Sequence, residues 1–164
     1  MMSSGTATLT LPTDEQILIK REFDAPKHLV YKAWTTPELV RRWWHAKRGE
    51  VTVVDIDLRV GGRWRYVMVA DDGFEVGFHG EYRKIVPNEL IVSTEVYEGL
   101  PAGVSEEDAA TVNTATFAEQ DGHTTVTLLI QATSKVSRDA IIDSGMEDGL
   151  QDALDLLEKV AQTL

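Results

Sequence analysis

Apolar positions along this chain change their period as the sequence runs. The run QILIKREF, residues 16–23, reads as a strand. Leu29, Val30, Ala33 and Trp34 then fall at i, i+1, i+4 and i+5, one face of a helix, and Leu39, Val40, Trp43 and Trp44 repeat that spacing ten residues later. Pro26 is early enough to start the first of these helices, and Thr36 before Pro37 is a good N-cap for the second. Six strand-like segments follow: VTVVDIDLRV, RWRYVMVA, FEVGFHGEYRKIV, ELIVSTEVYE, TVNTATFAE and HTTVTLLIQAT. Gly61-Gly62, Asp71-Asp72-Gly73, Pro87-Asn88 and Gln120-Asp121-Gly122 punctuate them, and connections this short join antiparallel neighbours. A helical period returns over 137–163, where Ile142, Met146, Leu150, Ala153, Leu157 and Val160 gather on one side of a 100° wheel. The pattern predicts an α+β domain: an antiparallel sheet of about seven strands, two short helices and a long C-terminal helix. Residues 1–15 read as a flexible N-terminal segment and 16–164 as one domain.

Hairpin register decides which side chains face the final helix. With a three-residue loop ending at Gly73, Met68 opposes Val76, Tyr66 opposes Phe78 and Trp64 opposes Gly80. Arg63, Arg65 and Val69 then meet Glu81, His79 and Glu75 on the other face. The same loop length at Val60-Gly61-Gly62 pairs Leu58 with Trp64, Ile56 with Tyr66 and Val54 with Met68, leaving Asp57 outside. A two-residue loop there would turn Asp55, Asp57 and Arg59 inward, because a one-residue slip reverses the face. The strand from Glu89 has two registers. One sends Leu90, Val92, Thr94 and Val96 inward; the other sends Ser93, Glu95 and Tyr97 inward, with Glu95 across from Gly80.

Composition narrows the function classes. Hydrophobic residues make up 43% of the 164 positions, enough for a core. A formal charge of −11 argues against nucleic acid, which needs clustered Lys and Arg; the basic cluster Arg41-Arg42 with Lys47-Arg48 is short. The absence of cysteine removes disulfides and thiolate chemistry and fits a reducing cytoplasm. The start lacks a basic segment followed by an apolar run, and no stretch approaches the ~20 apolar residues of a membrane helix. The expectation is a soluble, cytoplasmic domain with no nucleic-acid or membrane partner, either monomer or homodimer.

Chemistry-bearing motifs are sparse. His28, His45, His79 and His123 lack metal-ligand spacing, and no G-x-S-x-G elbow or phosphate cradle is present, so no metal, no cofactor and no catalytic set is expected. Enzymatic potential would rest on a cavity carboxylate: Glu95 or Asp57 beside Tyr66, Tyr82 or Arg59, with a raised pKa. The preferred reading keeps both carboxylates in cross-strand pairs on the outer face. Trp43 and Trp44 are adjacent and 100° apart on a helix, so both cannot point straight in; either both serve the core or one ring forms a pocket lip. Gly145 and Gly149 at the edge of the apolar stripe mark close packing or space left for a ligand. The acidic loop from Gly99 to Ala110 is long enough to be a flap, and its charges read as solvated.

As a set, REFDAP…VYKAWTTPELVRRWW, DIDLRVGGRWRYVM, GFHGEYRKIVP and RDAIIDSGMEDGL resemble the single-domain homologues of the heat-shock protein 90 ATPase activator's C-terminal domain, within the SRPBCC, or START-like, superfamily. The resemblance spans about 16–163. It implies a helix-grip (START-like, Bet v 1-like) fold, a curved antiparallel sheet around the last helix with a cavity between them. It does not carry ATPase activation to this chain, since fold is not function. The leading expectation is a small hydrophobic molecule held in that cavity, walled by Trp64, Tyr66, Met68, Phe78, Tyr82, Met146 and Leu150, with Trp43 or Trp44 at its mouth. The alternatives are a chaperone contact made through the surface and a polyketide-cyclase-like enzyme.

Overall fold

The computed structural model describes residues 6–45 and 47–164. Its strands are β1 (Thr8–Thr10), β2 (Gln16–Phe23), β3 (Gly49–Ile56), β4 (Arg63–Ala70), β5 (Glu75–Val86), β6 (Leu90–Tyr97), β7 (Thr111–Gln120) and β8 (His123–Gln131). They form one antiparallel sheet in the order β1-β2-β8-β7-β6-β5-β4-β3. The helices are α1 (Lys27–Thr35), α2 (Pro37–Val40), α3 (Glu106–Ala109), α4 (Lys135–Asp143) and α5 (Met146–Gln162). Since β2 lies near one edge and β3 at the other, α1 and α2 carry the chain from one side of the sheet to the far side. Register shifts between Val51 and Val53 and between Tyr82 and Lys84 interrupt the ladders, and such bulges bend strands.

The apolar face of the sheet and the apolar stripe of α5 bury one another. Ile17, Ile19, Phe23, Phe117, Val126 and Ile130 meet Ala153, Leu154, Leu157, Val160 and Ala161 in a single core, which α1 completes with Val30, Tyr31 and Ala33. Arg21 stands in the same inward row as Ile19 and Phe23 and is equally buried. Its guanidinium reaches α5, 2.8 Å from Asp155 Oδ1 and 3.5 Å from Glu158 Oε1, and lies over the Phe23 ring at 4.5 Å. A buried cation is tolerable only with partners of this kind, so Arg21 fixes where α5 sits on the sheet.

Several expectations need correction. The sheet has eight strands, one more than expected, because Thr8–Thr10 pairs with β2, Leu9 opposite Ile19. Gln151 of α5 holds the adjoining backbone, accepting from Ala7 N (3.1 Å) and donating to Ala7 O (2.9 Å); residues 1–5 lie outside the described residues. The long terminal helix is two helices. Gly145 adopts φ 82°, and Ser144 N reaches back to Ala140 O while Gly145 N reaches Ile142 O, the left-handed ending that glycine favours. The apolar stripe continues across this break, so periodicity alone reads straight through it. α2 ends at Val40, although Trp43 N and Trp44 N still bond Val40 O in the turns that follow.

The β4–β5 register is as expected, with Trp64, Tyr66 and Met68 opposite Gly80, Phe78 and Val76. The β3–β4 partners are displaced by about two residues. Ile56 opposes Trp64 and Val54 opposes Tyr66, so the expected face is kept with a longer connection. The reason lies at Gly61 and Gly62, whose backbones bond Tyr82 O and Tyr82 N at 2.9 Å and extend the β4 line; Asp57 N meanwhile bonds Arg63 O. Leu58, expected to face inward, is consequently exposed at the loop with Val60.

Candidate functional site

The inward face divides into two unlike halves. Around β2, β8, α1 and the later turns of α5 the largest side chains, Ile17, Phe23, Val30 and Leu157, have no accessible surface at all. Around β3–β6 and the first turns of α5, Val54, Trp64, Tyr82 and Ile91 are buried, but Trp44, Ile56, Tyr66, Phe78, Met146 and Leu150 remain only partly so, a larger group than the Trp34, Leu128 and Leu156 of the first half. Inward-facing apolar groups that water still reaches mark a face the protein has not filled with its own side chains.

An aromatic belt floors this second half. Trp64 and Tyr66 lie 4.8 Å apart between ring centres, Phe78 and Tyr97 5.2 Å apart, and Trp44 stands edge-on to Tyr66 (5.3 Å) and Phe78 (6.0 Å). Spacings and tilts of this order suit aromatic pairs. Trp64 is fixed by its indole N–H, which donates to Thr94 O at 3.1 Å across Gly80. Gly80 is required there, for a Cβ would sit 1.8 Å from Thr94 O and 2.6 Å from the indole nitrogen.

The two adjacent tryptophans take different roles. Trp43 is buried, its indole N–H donating to Ala33 O at 2.9 Å and its ring 5.6 Å from Trp34. Trp44 is the half-buried one and leans on the aromatic belt. Of the remaining expected wall residues, Trp64, Met68 and Tyr82 are buried, whereas Tyr66, Phe78, Met146 and Leu150 are partly accessible. Met68 and Trp43 are therefore supporting residues rather than an exposed lining.

Of the two registers open to β6, the structure has the one that sends Ser93, Glu95 and Tyr97 inward, so Glu95 does not lie on the outer face as expected. Tyr82 opposes Ser93 and Phe78 opposes Tyr97, which turns Ser93, Glu95 and Tyr97 inward with Tyr82 and Phe78. Glu95 accepts a hydrogen bond from Asn113 Nδ2 at 3.1 Å, and Asn113 Oδ1 in turn accepts from Thr111 Oγ1 at 2.9 Å. Burial raises the Glu95 pKa, and the Asn113 bond offsets only part of that effect. Burial also raises Tyr66 well above the ordinary phenol value, with Tyr82 and Glu95 adding to the shift, so these groups share one desolvated neighbourhood. Asp57 and Arg59, the other candidate pair, are exposed and bonded to each other at 2.9 Å outside this region.

Asn113 and Thr111 were not singled out from sequence. The available signal was that Thr111 and Asn113 stand at alternate positions in phase with Ala115 and Phe117, which are buried. His45, read only as a failed metal ligand, also lies here. Its ring stands edge-on to Trp44 at 4.6 Å, and its backbone φ is 48°. Burial, reinforced by Arg48, lowers its pKa.

The outer face carries a dense ion-pair network. Arg65 grips Glu98 through two 2.9 Å bonds, and His79 Nδ1 sits 2.8 Å from the same carboxylate. Chiefly through the Arg65 bond, Glu98 is pulled down to about 2. A depression of about 330 Å³ beside them is bordered by Asp55, Arg63, Arg65, His79 and Glu98, charges that largely balance. The loop from Gly99 to Ala110 carries α3, whose Glu106 lies 3.6 Å from His79 Nε2, while Asp108 O accepts from Ser137 Oγ at 3.3 Å. Among the described residues there is no cluster of three or more potential metal-binding side chains, and no helix is long and apolar enough to cross a membrane.

Comparison with known proteins agrees with this architecture. A protein from Rhodobacter sphaeroides has a similar structure at 21% identity and a TM-score of 0.86, with 98% of this chain and all of the other aligned. One from Mycobacterium smegmatis matches at 24% identity and 0.82, over 94% and 96% of the two chains. One from Staphylococcus epidermidis matches at 27% and 0.77, over 96% and 95%. No curated protein matches the sequence. The sheet clasping a C-terminal helix is the Bet v 1-like fold, and residues 24–162 match the family described as Activator of Hsp90 ATPase homolog 1-like protein; the chain belongs to that family.

Proposed function

We propose that this protein is a START-like binding domain that holds a small, largely apolar molecule between the β3–β6 half of the concave face and the first turns of α5. The observation that carries this reading is the set of inward-facing yet partly accessible side chains, Trp44, Tyr66, Phe78, Met146 and Leu150. Covering them with a ligand removes apolar surface from water, worth about 25 cal/mol per Å². Glu95, held by Asn113, supplies a polar anchor within an otherwise aromatic wall. A titration with the neutral fluorescent probe N-phenyl-1-naphthylamine tests the proposal. Saturable enhancement at one site per chain, lost in Leu150→Trp, is expected; enhancement that never saturates, or that Leu150→Trp leaves intact, contradicts it.

A second reading has one observation in its favour. Glu95 is a desolvated carboxylate beside Tyr66, an arrangement suited to proton transfer in a cyclase-like enzyme. That reading requires Glu95→Gln to abolish turnover while leaving probe binding in place. The chaperone-associated reading rests on the family's description alone.

A further inference from the structure

The imidazole of His45 is held where an imidazole has no structural task. Its Nδ1 has no accessible surface and no hydrogen-bond partner among the described residues. A buried polar atom left this way costs free energy that a core would ordinarily avoid. The backbone at His45 is left-handed, a conformation non-glycine residues rarely adopt. The ring sits against Trp44, which leans on Tyr66 and Phe78, so His45 is joined to the proposed binding face through one indole. Its Cε1, the carbon between Nδ1 and Nε2, faces Gly149 of α5, where an added Cβ would come to 3.7 Å. Gly149 is therefore not demanded by a clash: a methyl would make ordinary contact with the ring.

We infer that His45 Nδ1 is a ligand anchor: it accepts a hydrogen bond from a neutral donor, a hydroxyl or an amide N–H, on an otherwise apolar molecule bound against Trp44, Tyr66 and Phe78. This rests on the ligand-binding reading above and adds the chemistry the ligand must carry. Burial and Arg48 both oppose a second proton on the ring, which favours the neutral imidazole. With its proton on Nε2, Nδ1 presents a bare lone pair. The Arg48 guanidinium nearby, 3.1 Å from Asp152 of α5, makes a cationic donor unfavourable and a neutral one suitable. Glu95 anchors through a carboxyl group on β6, so the two sites make separable demands.

Matched probes test the assignment. 2-Naphthol and 2-methylnaphthalene have nearly the same size and differ in a single hydrogen-bond donor. The wild-type protein should bind 2-naphthol about three- to tenfold more tightly, the worth of one net hydrogen bond. His45→Phe should erase that preference while leaving 2-methylnaphthalene affinity within about twofold. In the wild-type protein, the His45 Nδ1 nitrogen resonance should move with 2-naphthol and stay in place with 2-methylnaphthalene, a readout that does not depend on the variant folding. Equal affinity for the two probes, a static Nδ1 resonance, or a preference that survives His45→Phe and disappears in Glu95→Gln would each overturn the assignment and leave the binding domain standing. If neither probe binds, both readings fall.

Discussion

The two halves of the concave face are built from the same alternation and end up as different materials. In the β2–β8 half, aliphatic rows from sheet and helix interlock until Ile17, Phe23, Val30 and Leu157 have no water contact. Packing at that density is unforgiving, and Arg21 adds an ion-paired bolt to α5. In the β3–β6 half, Trp44, Trp64, Tyr66, Phe78 and Tyr97 form a run of touching rings, and Glu95, bonded to Asn113 of the neighbouring β7, interrupts it. Rings touching edge-on do not fill space as branched aliphatics do, and polar groups among them need room for partners. One half holds the fold; the other is left with surface to offer.

The largest expected contrast comes from truncation. Leu157→Ala should cost about 3–4 kcal/mol of unfolding free energy, since the cavity opens in a region that cannot relax. Leu150→Ala, on the partly accessible side, should cost about 1 kcal/mol, because less buried area is lost. Chemical denaturation of the pair measures the difference, and equal losses would dissolve the distinction between the halves. Gly80→Ala should cost about 2–3 kcal/mol by driving a methyl into Thr94 O and displacing the Trp64 indole. Loss of the Trp64 indole N–H protection in hydrogen exchange would accompany it.

Smaller effects sharpen the picture. Arg21→Leu should cost about 2 kcal/mol by denaturation: Asp155 is half in water and can be solvated once its partner is gone, but Glu158 is largely buried and loses a cation. Gly149→Ala should raise stability by up to about 1 kcal/mol, the usual helix gain, while weakening probe binding beside His45. A stabilised variant that binds as well as wild type would mean that the space at Gly149 is not used.

The finest test compares two glutamates three residues apart on opposite faces. Burial raises Glu95, so the folded protein holds that proton more tightly than the unfolded chain. Stability therefore falls as pH rises from the ordinary carboxylate range through the raised value. Glu98 is pulled down to about 2 by Arg65, so its contribution is present above the ordinary range and is lost as pH falls toward about 2. Glu95→Gln should flatten the first slope and Glu98→Gln the second, read from unfolding free energy against pH.

The sequence made the architecture legible and the site only in part. Strict alternation in RWRYVMVA and FEVGFHGEYRKIV, closed by a turn with Gly73, leaves one register in which apolar meets apolar, and that register is present. Two features defeated the same reasoning. Gly61 and Gly62 read as a turn and do turn the chain, Gly62 N bonding Arg59 O, but their backbones also bond Tyr82, a long-range pairing that no local rule contains. LIVSTEVY has apolar residues in both phases, so alternation cannot choose its face; the bulge between Tyr82 and Lys84 makes the choice and carries Glu95 inward. His45 was invisible for another reason, since a lone histidine acquires meaning only from what surrounds it.

The account stands most directly on where a ligand touches. Backbone amide shifts should be followed by NMR as 2-naphthol is titrated into the protein. The account predicts that the changes cluster on β4 to β6, at Trp44 and His45, and over Met146–Leu150, with Ile17–Phe23 and Val126–Ile130 unmoved. Changes confined to the outer face around Arg65 and His79, or centred on the Phe23 and Leu157 side, would contradict it.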